Sequence, residues 1–505
     1  MGFRKFARLS LEEKKDDSYY LIGLDLGNNA TAIAYFNAAG QAFESIDLSG
    51  GYGKPSIPTA VQYIPDTKEW VIGEYAVQNQ GAGPVFVDML KRMGGREYVE
   101  LGGRLTSLAA VFGVFIREVL LSIKNINPKA EIAGVVCTVP AYFSEEQKKE
   151  LRQAFSHAGF EKELIGFASD REAALMEYAR LREPLDETVM VLDFGSRELR
   201  GGVYSMSLTQ SQIFARCLSF YFDEQVSTES LDAGALRLFE SFLESAEKGE
   251  YQHELLAFHF HHKDMLFQKN IRERPLKLYY NFVYPPIECK LTSHMADQLI
   301  KPYERKFMAF AREVVEKSKA QSIDAVLLSG GGFEMLWARE AIGRMYGPGK
   351  VRFVKNPKLS SAIGASVIAA SKAGLASKTL VLEDRQRLCA DIGVYDGANF
   401  FCLAHRNSFW WQKPKPRLVI VQKEVAGSLE LSLAKQDASG HVTELGKVLL
   451  EELPARPKGV TRLELSLTLT SSDACELEVV DAGFGELFPA SGFRTVFGQE
   501  IARIN

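Results

Sequence analysis

Cysteine is scarce in this 505-residue chain, and the six present, Cys137, Cys217, Cys289, Cys389, Cys402 and Cys475, include no C-x-x-C unit. Neither a zinc site nor a disulfide framework is expected, and reduced thiols in a cytoplasm are the simplest reading. No apolar run approaches the roughly 20 residues that span a bilayer. The N-terminal MGFRKFARLSLEEKKDDSYY has no apolar core, so no secretory signal is expected. Phe6 stands where a Gly2 lipidation signal needs Ser or Thr. Charge of one sign is also lacking: 60 basic and 64 acidic residues leave a net charge of −4. Bulk attraction to nucleic acid or to an anionic membrane is therefore not expected. No GxxxxGK[ST] loop occurs, which excludes a P-loop nucleotide site. His259, His261 and His262 have no cysteine or carboxylate at ligand spacing and read as structural histidines.

What is present is an ordinary globular balance, 46% hydrophobic and 25% charged, at a length suited to two or three domains. Residues 1–17 read as a polar tail. YLIGLD (20–25) is a buried strand ending in a Gly turn, and TAIAYF (31–36) its hairpin partner. IAGVVCTV (132–139) is a second buried strand. The helix expected after it opens with a capping box, Ser144 with Gln147, and carries Leu151, Ala154, Phe155 and Ala158 on one face. VMVLDF (189–194) and AVLLS (325–329) repeat the buried-strand pattern, with helical spacing at Tyr303, Phe307, Phe310 and Val314 between them. Alternating strands and helices over 18–375 predict an α/β domain. A linker is expected at 376–390. From 391 to 505 the period becomes two, as in Leu429, Leu431, Leu433 and in Leu463, Leu465, Leu467, Leu469. That pattern predicts an all-β antiparallel sandwich. Trp410 and Trp411 adjoin a turn there and read as sandwich packing.

The chemistry lies at strand ends. Apolar strand–Asp–x–Gly occurs at Asp25–Gly27 and again at Asp193–Gly195, and a third strand runs into Gly330, Gly331 and Gly332. Such turns present backbone N–H groups to phosphate, and the carboxylate beside them suits magnesium. Two matched turns and a glycine triplet predict a magnesium nucleotide held between two lobes.

These residues carry a resemblance. IGLDLG (22–27), KRMGGR (91–96), VVCTVPAYFSEEQ (135–147), VMVLDFG (189–195), VLLSGGG (326–332) and NPKLSSAIGASV (356–367) resemble the DnaK-type, seventy-kilodalton heat-shock chaperones of the actin-like ATPase superfamily. DIGVYDGANFF, HRNSF and LPARPKGVTRLELSLTL are similar to that family's substrate-binding β-domain. The resemblance implies an actin-like two-lobed ATPase domain followed by a β-sandwich. It implies ATP or ADP with magnesium, Asp25 and Asp193 as metal residues, and Lys91, Asp170 and Asp193 as the hydrolytic set. Gly27, Asn28, Asn29, Gly195, Ser196, Gly330, Gly331 and Gly332 would line the nucleotide. Partners would be extended peptides or a protein bound by the β-domain, with co-chaperones, and neither nucleic acid nor membrane.

The departures from the family pattern are heavy. Asn28 and Asn29 replace two hydroxyl residues. The second phosphate loop reads DFGSRELR, with Ser196, Arg197, Glu198 and Arg200 in place of two glycines, a threonine and an aspartate. Arg171, Ser227, Thr228, Gly332, Glu334 and Lys358 depart likewise. Arg197 and Arg200 read either as solvated loop charges or as phosphate contacts. The expectation is a divergent chaperone-like protein that couples ATP or ADP to peptide or partner binding with weak or no hydrolysis. The alternative is a pseudo-ATPase scaffold without turnover. The last alternating strand is expected to end near Val480, and Gly483, Gly485, Pro489 and Gly492 argue against a helical lid after it.

Overall fold

The computed structural model describes residues 16–500 except 38–41, 49–55, 79, 181, 184, 245–248, 268–274, 353–356, 385–386, 389, 398, 413, 438 and 472–473. Most of the tail expected at 1–17 lies outside the described residues, as do Cys389 and the side chain of His261. The chain divides into two compact units, Met1–Glu383 and Asp384–Asn505.

The first unit is organised by two six-stranded sheets with the same plan. In the first sheet Tyr19–Leu26 is central, parallel to Glu131–Val139, with Leu164–Ser169 parallel beyond it. On its other side lies Ala30–Asn37, antiparallel, followed by Ala42–Ser45 and Ser56–Pro58. In the second sheet Leu185–Phe194 holds the central place, parallel to Ala325–Ser329, with Val351–Arg352 beyond. Leu199–Leu208 and then Gln212–Asp223 follow antiparallel. The repeat seen in sequence is thus a repeat of topology. Asp25 lies opposite Thr138 and Ala32, and Asp193 opposite Ser329 and Arg200.

Both central strands are covered on both faces, which is why they read as unbroken apolar runs. Ile22 and Leu24 join a core with Phe112, Phe115, Leu151 and Phe155. Leu21, one step away and so on the other face, packs with Val136, Ala365 and Ala369. The expected helix after Pro140 is Glu145–Ala158, with the Ser144–Gln147 capping box formed and Leu151, Ala154, Phe155 and Ala158 buried. The helix Ser360–Lys372 is built of small residues because it approaches its neighbours closely. A Cβ at Gly364 would lie 1.8 Å from the Ala173 carbonyl, and one at Gly23 would lie 2.0 Å from that of Ala362. These contacts set the helix Asp170–Ala179 beside the strand that carries Asp25. In the second sheet Phe194 is buried among Phe307, Phe333 and Trp337, with ring centroids 5.5–6.0 Å away. That packing fixes the end of the Asp193 strand.

The expected linker is partly a strand. Thr379–Asp384 pairs with Gln212–Asp223, with Leu380 and Leu382 half-buried and Glu383 paired with Arg216 at 2.9 Å. Period-two spacing in a short apolar patch is enough to extend a sheet edge. The histidines expected to be structural behave so where described: His259 Nε2 lies 3.0 Å from the Asp232 carbonyl and its ring meets Phe239.

The second unit holds two four-stranded antiparallel sheets. One runs Phe400–Ala404, Asp391–Tyr395, Ser428–Gln436, Val442–Glu451, and the other Arg417–Val421, Thr461–Ser471, Ala474–Asp481, Arg494–Glu500. The alternating leucines of both sheets meet in one core. Alternation does not end at Val480. After the 482–493 loop, Arg494–Glu500 adds a further strand to Ala474–Asp481. A buried bidentate pair anchors that loop: Arg456 donates to Asp481 at 2.7 and 2.8 Å, and Asp481 also accepts from the Gly483 and Ser491 N–H groups. Trp410 packs against the core and Trp411 stacks on Phe409. Among the described residues, no helix is long and apolar enough to cross a membrane.

Candidate functional site

The two strand ends meet in the first unit, and their side chains follow from register. Arg200 is the antiparallel partner of Asp193, so both project from the same face of the hairpin. The turn between them is closed by the Gly195 N–H donating to the Glu198 carbonyl at 3.0 Å. Phe194 and Leu199 turn into the core, which leaves Asp193, Glu198 and Arg200 outside it. From the other sheet comes Asp25, from the turn after its strand Glu131–Val139 comes Tyr142, and from the adjoining helix comes Asp170. Ser169 caps that helix with a second capping box through Glu172, so Asp170 is its first residue rather than its cap.

The guanidinium of Arg200 sits among three carboxylates. It pairs with Asp170, lies 3.3 Å from Glu198 and 3.8 Å from Asp193, and is only 16% exposed. Tyr142 donates to Glu198 at 2.7 Å. Asp25 accepts from the Thr138 hydroxyl at 2.5 Å. Burial pushes the Asp25 carboxyl up, opposed by that hydrogen bond and by the charges of Arg200 and Lys358. Burial, then the Asp25 and Glu198 carboxylates, push Asp193 up as well. Glu198 rises to about 7, chiefly through burial. More acid than base is gathered here, and Arg200 holds it together.

The structure brings together most of the residues singled out from sequence, but ties them to protein. The Asn28 side chain accepts from the Lys91 N–H at 2.8 Å, and the Asn29 carbonyl from the Thr59 N–H at 2.9 Å. The Lys91 side chain is exposed. In the tight turn at Gly27 a Cβ would lie 2.4 Å from the Ala30 carbonyl. The Gly195 and Ser196 carbonyls accept from the Thr228 and Glu229 N–H groups at 3.1 and 3.0 Å, capping the helix Thr228–Glu240. Gly330, at φ 90°, lies where a Cβ would be 2.5 Å from the Asp193 carboxylate, and Gly332 lies against the Phe194 ring. Gly331 adjoins the Lys358 stem.

Arg197, partly exposed, and Arg200, largely buried, are both engaged by protein carboxylates. Arg197 pairs with Asp88 and, at 2.8 Å, with Glu229. Asp88 precedes the short helix Met89–Arg92, packed in the core of the first sheet, and Glu229 lies on the helix Thr228–Glu240, packed in that of the second, so Arg197 ties the two together. Arg200–Asp170 and Tyr142–Glu198 are two further straps. Sequence reasoning missed Asp88, Tyr142 and the charge of Glu198, although Tyr142 lies inside the quoted VPAYF string. It also missed Glu150, which accepts from the Gly94 and Arg96 N–H groups and pins the KRMGGR loop.

Where the resemblance would put magnesium, Asp170 and Asp193 face the Arg200 guanidinium. The volume beside Asp170, Asp193 and Arg200 is about 10 Å³, room for about one water. The expected metal carboxylates Asp25 and Asp193 and the expected catalytic Asp170 face an internal cation. The amides that open the Thr228–Glu240 helix are spent on protein carbonyls.

Two family profiles match the chain. Residues 396–501 match one described as "Domain of unknown function (DUF8552)", a span that lies within the second unit. Residues 42–351 match one described as "Family of unknown function (DUF5716) C-terminal", a span that takes in Lys91, Asp170, Asp193, Arg200 and the glycine triplet. As that match covers more than half of the sequence, the chain belongs to the DUF5716 family.

Proposed function

We propose that the chain is a pseudo-ATPase scaffold: an actin-like, DnaK-type plan whose cleft is closed by its own arginine, with the β-rich second unit as the face for a protein partner. The observation that carries this reading is Arg200 paired with Asp170 and set beside Asp193 and Glu198, where the resemblance would put magnesium. A guanidinium supplies half the positive charge a divalent ion would bring, needs no nucleotide to hold it, and activates no water. The matched order of the two sheets supports the two-lobed, actin-like part of the proposal. The paired sheets around one core support a sandwich. A cytoplasmic setting accords with the described cysteines, none of which forms a disulfide.

A second reading keeps the nucleotide, with ATP or ADP and magnesium coupled to peptide release. It is favoured by the convergence of Asp25, Asp170 and Asp193, and by Lys91 lying beside Asn28. It requires Arg200 to leave three carboxylates. Thermal unfolding of the full chain with ATP or ADP, with and without magnesium, separates the two readings when paired with a single-turnover hydrolysis assay. The scaffold reading expects no magnesium-dependent shift and no product. A shift that needs magnesium, together with turnover lost in Asp193→Asn, would replace it with the second reading.

A further inference from the structure

We infer that Asp391, Cys402 and His405, in the second unit, form a zinc-class metal site with three protein ligands and a fourth position open to solvent. Sγ of Cys402 lies 3.3 Å from Nδ1 of His405 and 3.7 Å from Oδ1 of Asp391, and those two atoms are 3.5 Å apart. A tetrahedral zinc ion, with Zn–S about 2.3 Å and Zn–N and Zn–O about 2.0–2.1 Å, places its ligand atoms about 3.3–3.6 Å apart. The triangle already has the size that one ion would impose.

The local fold explains how three separated residues reach one point. Asp391 opens the strand Asp391–Tyr395, and Cys402 lies on its antiparallel neighbour Phe400–Ala404. The register slips between Ile392 and Gly393, so that Gly393 pairs with Cys402 and Ile392 with Ala404. At Gly393 a Cβ would lie 2.1 Å from the Phe401 carbonyl, so glycine permits the slip, and a slip of this kind re-aims a side chain. His405 follows directly on Ala404, at the same end of the pair as Asp391. Oδ1 of Asp391 is held by the Arg406 N–H at 2.8 Å, and the Cys402 carbonyl accepts from Arg417 at 2.7 Å. Such outer partners orient metal ligands.

Ligand chemistry selects the ion. Thiolate and imidazole together disfavour magnesium and calcium and suit zinc, and three protein ligands leave a position for water or for a ligand from another molecule. As the Zn–S bond forms, the thiol proton passes to solvent and no redox change occurs. Among the described residues this is the one group of histidine, cysteine and carboxylate atoms gathered closely enough for an ion. His405 is 79% exposed, which gives the ion a way in.

The test uses the full chain, stripped with a chelator and titrated with cobalt(II) and then zinc. One equivalent of cobalt should give thiolate-to-cobalt charge-transfer absorption and the intense visible bands of tetrahedral coordination, both removed by one equivalent of zinc. Zinc should also raise the melting temperature of the wild-type protein by mass action. Cys402→Ser should abolish the charge-transfer band. His405→Ala, a change at an exposed side chain that leaves the core intact, should weaken binding by more than about a hundredfold, since even outer-shell partners are worth 10–100-fold. His262→Ala should leave the titration unchanged. The absence of a charge-transfer band in the wild type would reduce the cluster to hydrogen bonding and overturn the inference. Persistence of the band in Cys402→Ser, or its loss in His262→Ala, would place the metal elsewhere and overturn it equally.

Discussion

Replacing Arg200 by alanine removes the guanidinium that faces Asp170, Asp193 and Glu198 together. Those side chains are 8%, 13% and 3% exposed, so water does little to replace it. Breaking a buried charge cluster by deleting one partner costs about 3–5 kcal/mol, because the remaining charges stay buried without compensation. Urea unfolding of Arg200→Ala should show that loss for the first unit at neutral pH. The vacated centre then holds acidic groups from both sheets, so magnesium or manganese should restore part of the stability. Mass action gives about 2.7 kcal/mol at a hundred times the dissociation constant. Wild-type protein should not respond to either ion. A loss within about 0.5 kcal/mol, the range of an ordinary surface change, would refute the claim that Arg200 organises the cleft. Equal stabilisation of wild type and variant by magnesium would refute it from the other side.

Further outcomes follow from the same contacts. Tyr142→Phe leaves the buried Glu198 carboxylate without its hydroxyl donor and should cost about 1–3 kcal/mol in the same unfolding assay. Glu198 titrates near 7 when folded against about 4.3 when unfolded. Its raised value favours the folded state fully at low pH, and that contribution is lost as pH rises through about 4.5 to 7. Urea midpoints for the first unit should therefore fall across that window, at up to about 1.4 kcal/mol per pH unit for the one group, and Glu198→Gln should flatten the fall. In the second unit, burial alone would raise Asp481, but Arg456, Ser491 and Gly483 hold it at about 2. That pair contributes stability above pH 4 that is lost on acidification toward 2, and Arg456→Ala should cost about 3–5 kcal/mol of that unit's stability. Lys91→Ala, at an exposed side chain, should change stability by less than about 0.5 kcal/mol.

What could be read from sequence was local. Buried strands, the Ser144–Gln147 cap and the period-two leucines declare themselves within ten residues, because strand burial, capping and pleat are short-range. The two strand–Asp–Gly turns also announced that Asp25 and Asp193 hold equivalent places in two sheets. What they face was not legible. Arg200 meets Asp193 only because a hairpin turn of fixed length sets the register, and it meets Asp170 only after the helix Ser360–Lys372 packs two distant segments together. Arg197 reaches Asp88 across more than a hundred residues. At the C-terminal end, the glycines and proline after Asp481 correctly signalled a broken chain, but not the strand that follows once Arg456 ties the loop down. The spacing of Cys402 and His405 was passed over, because the absence of a C-x-x-C unit argued against zinc. The pair needed Asp391 from the neighbouring strand, through a register slip at Gly393, to become a cluster.

The central claim is that the cleft is closed by Arg200 in place of a magnesium nucleotide. Isothermal titration of the full chain with ATP, in the presence and absence of magnesium, tests it most directly. No saturable heat is expected at millimolar nucleotide in either condition. One-to-one binding that requires magnesium, and is weakened by Asp25→Asn or Asp193→Asn, would contradict it.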